Sequence, residues 1–228
     1  MASGSIFHWD GQLARISYLS DYTLKNIWYN NDHDIYAAGT NGLLLHYDGS
    51  TWRQLDTNTK TTIMDIWGIS DQENNKKQVL ATVSTDWWAI SEDYKVISIH
   101  EDHVSDTLKW KWPEDRPLMS IWFEKNTPVY VAGGGVVSYE DSAWSVIEEV
   151  PAYGMYKIRG SDWNNIFAVG AFGMIAHYNG SNWHYYDQLL YEEGSLKSVA
   201  VTKDIVVAVG VVGSYRPKGI IITGSPKN

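Results

Sequence analysis

The 228-residue chain carries 18 Lys and Arg against 27 Asp and Glu, a formal net charge of −9 at pH 7, which argues against a phosphate-backbone partner. It has no cysteine, so disulfide staples and thiolate metal sites are excluded, while 12 Trp and 15 Tyr suit strands with one face buried and one end wet. No apolar run approaches the ~18 residues that a membrane-spanning helix needs.

Taken in chain order, MASGS (1–5) has neither a basic nor an apolar segment. It reads as a cloning remnant outside the fold, with a native leader trimmed away and residues 6–228 forming one domain. IFHWDGQLARISYL (6–19) reads as two strands about an Asp-Gly turn. Four short strands follow: LKNIWYN (24–30), DIYAAGT (34–40), LLLHYDG (43–49) and TWRQLDT (51–57). The same order returns as IMDIWGI, QVLATVS, WWAISED and KVISIHE between 63 and 101, and as LMSIWFE, PVYVAGG, VVSYED and AWSVIEE between 118 and 149. It returns again as MYKIRGS, NIFAVGA, MIAHYNG and NWHYYDQ between 155 and 188, and as LKSVAVT, DIVVAVG and GIIITGS between 196 and 225. Each piece is β-branched or aromatic and bounded by Gly, Asn or Asp, as strands are.

The central residues Ile27, Ile66, Ile121, Ile158 and Val199 are 39, 55, 37 and 41 apart, a period that signals a repeat array. Asp48-Gly49 and Asn179-Gly180 predict type I′ turns between third and fourth strands. A four-stranded antiparallel unit cannot bury both faces alone, so the copies stack radially. The expected fold is all-β, a five-bladed β-propeller with blades about 24–57, 62–101, 117–150, 154–188 and 195–224. The last copy has three strands, and residues 12–19 are expected to supply its fourth and close the ring. Gly39, Gly133, Gly170 and Gly210 recur after the second strand and predict a tight turn or a close approach of neighbouring blades.

The dipeptide in HWDG (8–11) invites a WD40 reading, but the Gly-His pair that marks those blades is missing. The pattern W…[DN]I[YF]AVGxxGxIxHY[DN]GSxW, clearest at 24–57 and 154–186, resembles a group of bacterial exported repeat β-propellers. The resemblance implies a propeller fold and a secreted or cell-envelope location, and brings no mechanism. In size and blade count the chain is also similar to five-bladed lectins of the tachylectin type, without their motifs.

Propeller ligands usually meet the loops that join strand two to three and strand four to the next blade, and loops held by rigid sheets carry function. Those loops offer Trp87, Trp88, Phe172, Tyr215 and Arg216, and the long insertion EDHVSDTLKWKWPEDRP (101–117) adds Trp110, Trp112 and Arg116. Arg159 stands on strand one where other copies have Trp28, Trp67 and Trp122, and faces either a neighbouring blade or the axis. Aromatic platforms beside carboxylates and Arg suit sugar rings, and equally a protein partner. The strand-one tryptophans read as inter-blade wedges, and Trp52, Trp144 and Trp183, which open the fourth strands, read as structural. His8, His46 and His177 share one repeat position and do not converge on a metal, and His100 with His103 lacks a third ligand. No cofactor is implied.

Glycoside hydrolysis needs two carboxylates about 5–10 Å apart. The inner strands offer Asp65, with Glu124 and Asp162 toward the far ends of theirs, and no catalytic residue is assigned. The reading is a non-enzymatic binding or interaction module with a protein or glycan ligand. A lectin-like propeller and a five-bladed glycoside hydrolase are the alternatives.

Overall fold

The computed structural model describes residues 4–71, 76–85, 94–101, 103–108, 116–189, 193–213 and 215–225. Its strands group into two compact units, residues 1–110 and 111–228.

The first unit opens with a hairpin of β1 (Gly4–Trp9) and β2 (Ala14–Ser20). The fold thus takes in Gly4 and Ser5, which the sequence reading placed outside it. Two sheets follow in simple up-and-down order. The first holds β3 (Leu24–Asn31), β4 (Asp34–Gly39), β5 (Leu44–Tyr47) and β6 (Trp52–Gln54). The second holds β7 (Ile63–Asp71), β8 (Lys76–Val83), β9 (Lys95–Ile99) and β10 (Val104–Leu108). Its fourth strand is therefore VSDTL, downstream of the predicted KVISIHE, which forms the third.

The second unit repeats the plan. One sheet holds β11 (Leu118–Trp122), β12 (Val129–Gly133), β13 (Gly135–Glu140) and β14 (Ala143–Val146). The next holds β15 (Met155–Asp162), β16 (Asn165–Gly170), β17 (Ile175–Tyr178) and β18 (Trp183–Tyr185). The last holds β19 (Gly194–Val201), β20 (Val206–Val212) and β21 (Lys218–Gly224).

Residues 12–19 are expected from the sequence to complete the last sheet; β2, which covers most of them, pairs with β1 instead. A local hairpin closes a short loop at low entropic cost, and its turn is made for it. The Asp10 carboxylate accepts the backbone N–H of Gln12 at 2.9 Å and of Leu13 at 2.8 Å, with Gly11 at φ 96°. The same device serves the two turns predicted as type I′. Asp48 accepts Ser50 and Thr51, each at 2.9 Å, and Asn179 accepts Ser181 and Asn182, each at 2.9 Å. Only the glycines there take positive φ, because the side-chain oxygen substitutes for the second backbone turn. A two-residue turn with both φ positive occurs instead at Asp141 (50°) and Ser142 (64°).

Packing follows the strand alternation. Tyr36, Ala38 and Leu44 of the first sheet meet Ile63, Ile66, Val79 and Ala81 of the second in one buried cluster. Ala37, Leu43 and Leu45 face the other way and take Ile6 and Tyr18 of the hairpin. In the second unit Val169 and Ile175 meet Leu196, Val199 and Ala208. The close approach at the recurrent glycine after strand two lies within its own sheet and not between neighbouring blades: a Cβ on Gly39 would lie 2.0 Å from the Thr23 carbonyl oxygen, and one on Gly170 2.0 Å from that of Gly154.

Candidate functional site

Within each unit, successive sheets touch along strand one. The third residue of that strand reaches across: the Asn26 amide donates to the Met64 carbonyl, and Ser120 Oγ accepts the Ile158 N–H at 3.2 Å. Asp65 holds this position in the second sheet and is wholly buried, out of reach of a ligand. The fifth residue wedges: Trp28 lies against Gly68, and Trp122 against Gly160. Both tryptophans are buried, as wedges must be.

Beyond the wedge, each pair of sheets leaves a cleft at the end that carries the turns between strands one and two and between strands three and four. In the first unit it is filled from within. Lys77 of β8 reaches over β4, with its Nζ 2.7 Å from Asp34 Oδ2, 3.1 Å from the Tyr36 hydroxyl and 5.1 Å from the Tyr36 ring centroid. Asp34 also accepts from Asn30 at 2.9 Å and pairs with His46 Nε2 at 2.9 Å. Burial alone would raise the Asp34 pKa, but these hydrogen bonds and the Lys77 charge outweigh it and hold the carboxyl below the ordinary range. Burial, then Asp34, pushes the Tyr36 hydroxyl upward. His46 stacks on Tyr36 with centroids 4.3 Å apart.

In the second unit the corresponding clefts are open. The β11–β14 and β15–β18 sheets leave about 730 Å³, lined by Tyr130, Tyr178, Trp163, Glu124, Glu140 and Asp162 among others. The β15–β18 and β19–β21 sheets leave about 970 Å³, lined by Phe167, His177, Tyr186, Leu189, Val206 and Ile222 among others. Ser161 and Asp162 line both, so the turn that follows β15 is a rib between two grooves. Trp163 projects from this rib, 54% exposed. The first groove is aromatic and acidic, and burial, with Tyr178 and Glu140 nearby, pushes the Tyr130 hydroxyl up to about 12. The second is largely apolar. There His177 stacks on Phe167 with centroids 4.1 Å apart and sits 3.2 Å from Asn165 Oδ1, while burial, then His184, lowers its pKa.

Glu124 and Asp162, read from the sequence as lying far out on their strands, are thus brought together with Glu140. Sequence reasoning did not find this groove: its residues come from two repeats, and its signal was the loss of a lysine at one repeat position.

The residues singled out from the sequence lie elsewhere. Trp87, Trp88, Trp110 and Trp112 lie outside the described residues. Arg116 packs over Gly134 and donates to its carbonyl at 2.8 Å. Arg159 is half-buried between sheets, donating to Ser120 Oγ (3.1 Å) and to the carbonyls of Ile121 (3.2 Å) and Ile158 (2.7 Å). Both guanidiniums are engaged by backbone. Phe172 is 45% exposed at φ 57° and meets Tyr153 edge-on at 5.7 Å. Tyr215 and Arg216 are exposed. The first groove lies by the turn that precedes β16 and the Phe172 turn follows that strand, ~20 Å away at the rise of a strand, whereas the second groove runs along β16 as far as Val169. Of the histidines at the shared position, His46 pairs with Asp34 and His177 with Asn165, and no group of three metal-ligating side chains occurs among the described residues.

No protein-family profile and no curated protein matches the chain. Solved structures do. A structure described as YCF48 bound to D1 peptide is similar with a TM-score of 0.62 at 11% identity, over 95% of this chain and 69% of that one. YCF48 from Cyanidioschyzon merolae gives 0.59 at 12% identity, over 88% of this chain and 69% of that one. The computationally designed Ika8 protein gives 0.53 at 12% identity, over 95% and 81%. At such identities the likeness is one of fold. The chain is all-β, with five antiparallel blades in a five-bladed β-propeller.

Proposed function

We propose that this propeller is a non-enzymatic interaction module that lays an extended segment of a protein partner across the two grooves flanking the 161–164 rib. The observation that carries this reading is the pairing of an acidic aromatic groove with an apolar one on either side of a half-exposed Trp163. Tyr and Trp anchors beside a desolvated pocket are what peptide recognition uses. The likeness to a propeller described as bound to a peptide is in keeping with it. The resemblance of the repeats to exported propellers supports a secreted or envelope setting for the partner.

The test is selection of displayed random dodecapeptides on the full chain. A shared sequence is expected to emerge, to lose binding in Trp163→Ala and to keep it in Phe172→Asn. A glycan array that lights up instead would replace the partner class. Turnover of chromogenic glycosides that is lost in Glu140→Gln would favour the hydrolase alternative, which gains some support from the three carboxylates in one groove.

A further inference from the structure

We propose that the groove between the β11–β14 and β15–β18 sheets binds the ammonium group of a lysine side chain on the protein partner. This deepens the interaction-module reading and rests on it.

The repeat itself supplies the template. Ladder pairing equates the two clefts: Trp28 pairs with Tyr36, and Trp122 with Tyr130. In the following sheet Gly68 pairs with Val79, and Gly160 with Ile166. Two residues before Val79 stands Lys77; two residues before Ile166 stands Asn164. In the first unit the lysine therefore places its own ammonium over Tyr36, on the tyrosine hydroxyl and the Asp34 carboxylate. In the second unit the equivalent Asn164 lines the neighbouring groove instead. Tyr130 keeps the place of Tyr36 and lines the open volume of about 730 Å³, buried among Trp122, Tyr178 and Trp183.

The counter-charge has been moved rather than lost. Pro128 stands two residues before Tyr130, where Asp34 stands before Tyr36, and cannot supply a carboxylate. Glu124, Glu140 and Asp162 line the groove in its stead, three carboxylates against the single Lys125. All three are exposed at the rim, so the site is open to a side chain arriving from outside. Tyr178 and Trp163 add ring faces of the kind that attract a cation. A compact ammonium on a flexible four-carbon stem matches the group that fills the first cleft, whereas a planar guanidinium does not. The net charge of −9 draws a basic segment toward this surface.

The experiment uses the dodecapeptides selected on the full chain. Lysine is expected in the consensus, and its replacement by norleucine is expected to weaken binding about tenfold, the order of a partly desolvated cation–π contact. Replacement by arginine is expected to weaken it less. The Glu140→Gln/Asp162→Asn variant, which alters exposed side chains only, is expected to bind the lysine and norleucine peptides equally. Selected peptides that bind without lysine, or whose norleucine forms bind as well, overturn this proposal while leaving the module reading intact. Recovery of no binding peptide overturns both.

Discussion

Trp122 lies so close to Gly160 that a Cβ on the glycine would stand 2.6 Å from Cζ2 of the indole. Trp28 and Gly68 repeat the relationship at 2.7 Å. Bulk on strand one of one sheet thus demands its absence on strand one of the next. Gly160→Ala is expected to destabilise the fold by about 1–3 kcal/mol, the range for overpacking a filled core. Trp122 Nε1 is buried with no hydrogen-bond partner among the described residues. Trp122→Phe removes that orphan donor along with part of the ring, so it is expected to cost less than the ~3–5 kcal/mol of a Trp→Ala truncation. Urea unfolding of the variants measures both.

The Lys77–Asp34 pair is well shielded, with side chains 16% and 14% exposed. Removing one partner strands the other. Lys77→Met and Asp34→Asn are each expected to cost about 1–3 kcal/mol. The double variant should cost less than their sum, since the two groups share one network. A double-mutant cycle by denaturant unfolding shows whether the coupling is present; strict additivity would mean that the contact contributes nothing.

His177 is a base whose pKa the fold depresses, first by burial and then by His184. The unfolded chain takes up that proton near pH 6.5. Between the folded value and about 6.5 the unfolded state therefore binds more protons, and stability rises with pH through this window. The contribution is full above it and is lost as pH falls. Stability measured from pH 7.5 downward is expected to decline, with a shallower decline in His177→Phe.

Phe172 sits at φ 57° in a turn where the first sheet has Asn41 at φ 58°. An aromatic residue in the left-handed region is strained, whereas Asn tolerates it. Phe172→Asn is expected to raise stability by about 1 kcal/mol, less whatever the edge-on contact with Tyr153 contributes. Peptide affinity should not change. A loss of affinity would place function at the Phe172 end.

Much of the fold could be read from the chain because each strand announces itself locally. Tyr36, His46, Phe167 and His177 recur at fixed register, and Asp-Gly or Asn-Gly closes the outer turn. What failed were choices between near-equivalent partners. Residues 14–20 match a fourth strand, and whether they join β1 or the last sheet is decided by loop length, not by their side chains. KVISIHE likewise has the alternation of either a third or a fourth strand. The grooves could not be read at all. A cleft is where packing stops, and this one depends on Asn164 and Pro128 standing where Lys77 and Asp34 would otherwise fill it. Arg159, which breaks the Trp pattern on strand one, takes the inter-sheet one of its two expected placements, donating to the carbonyls of Ile121 and Ile158.

Backbone hydrogen exchange on the full chain, with and without the tightest selected peptide, tests the central claim most directly, because protection reports where a ligand closes local openings. Slowed exchange is expected at 124–128 and 161–165, with none at 171–174 or 215–219. Protection confined to those last two segments, at the other end of β16, would contradict the assignment.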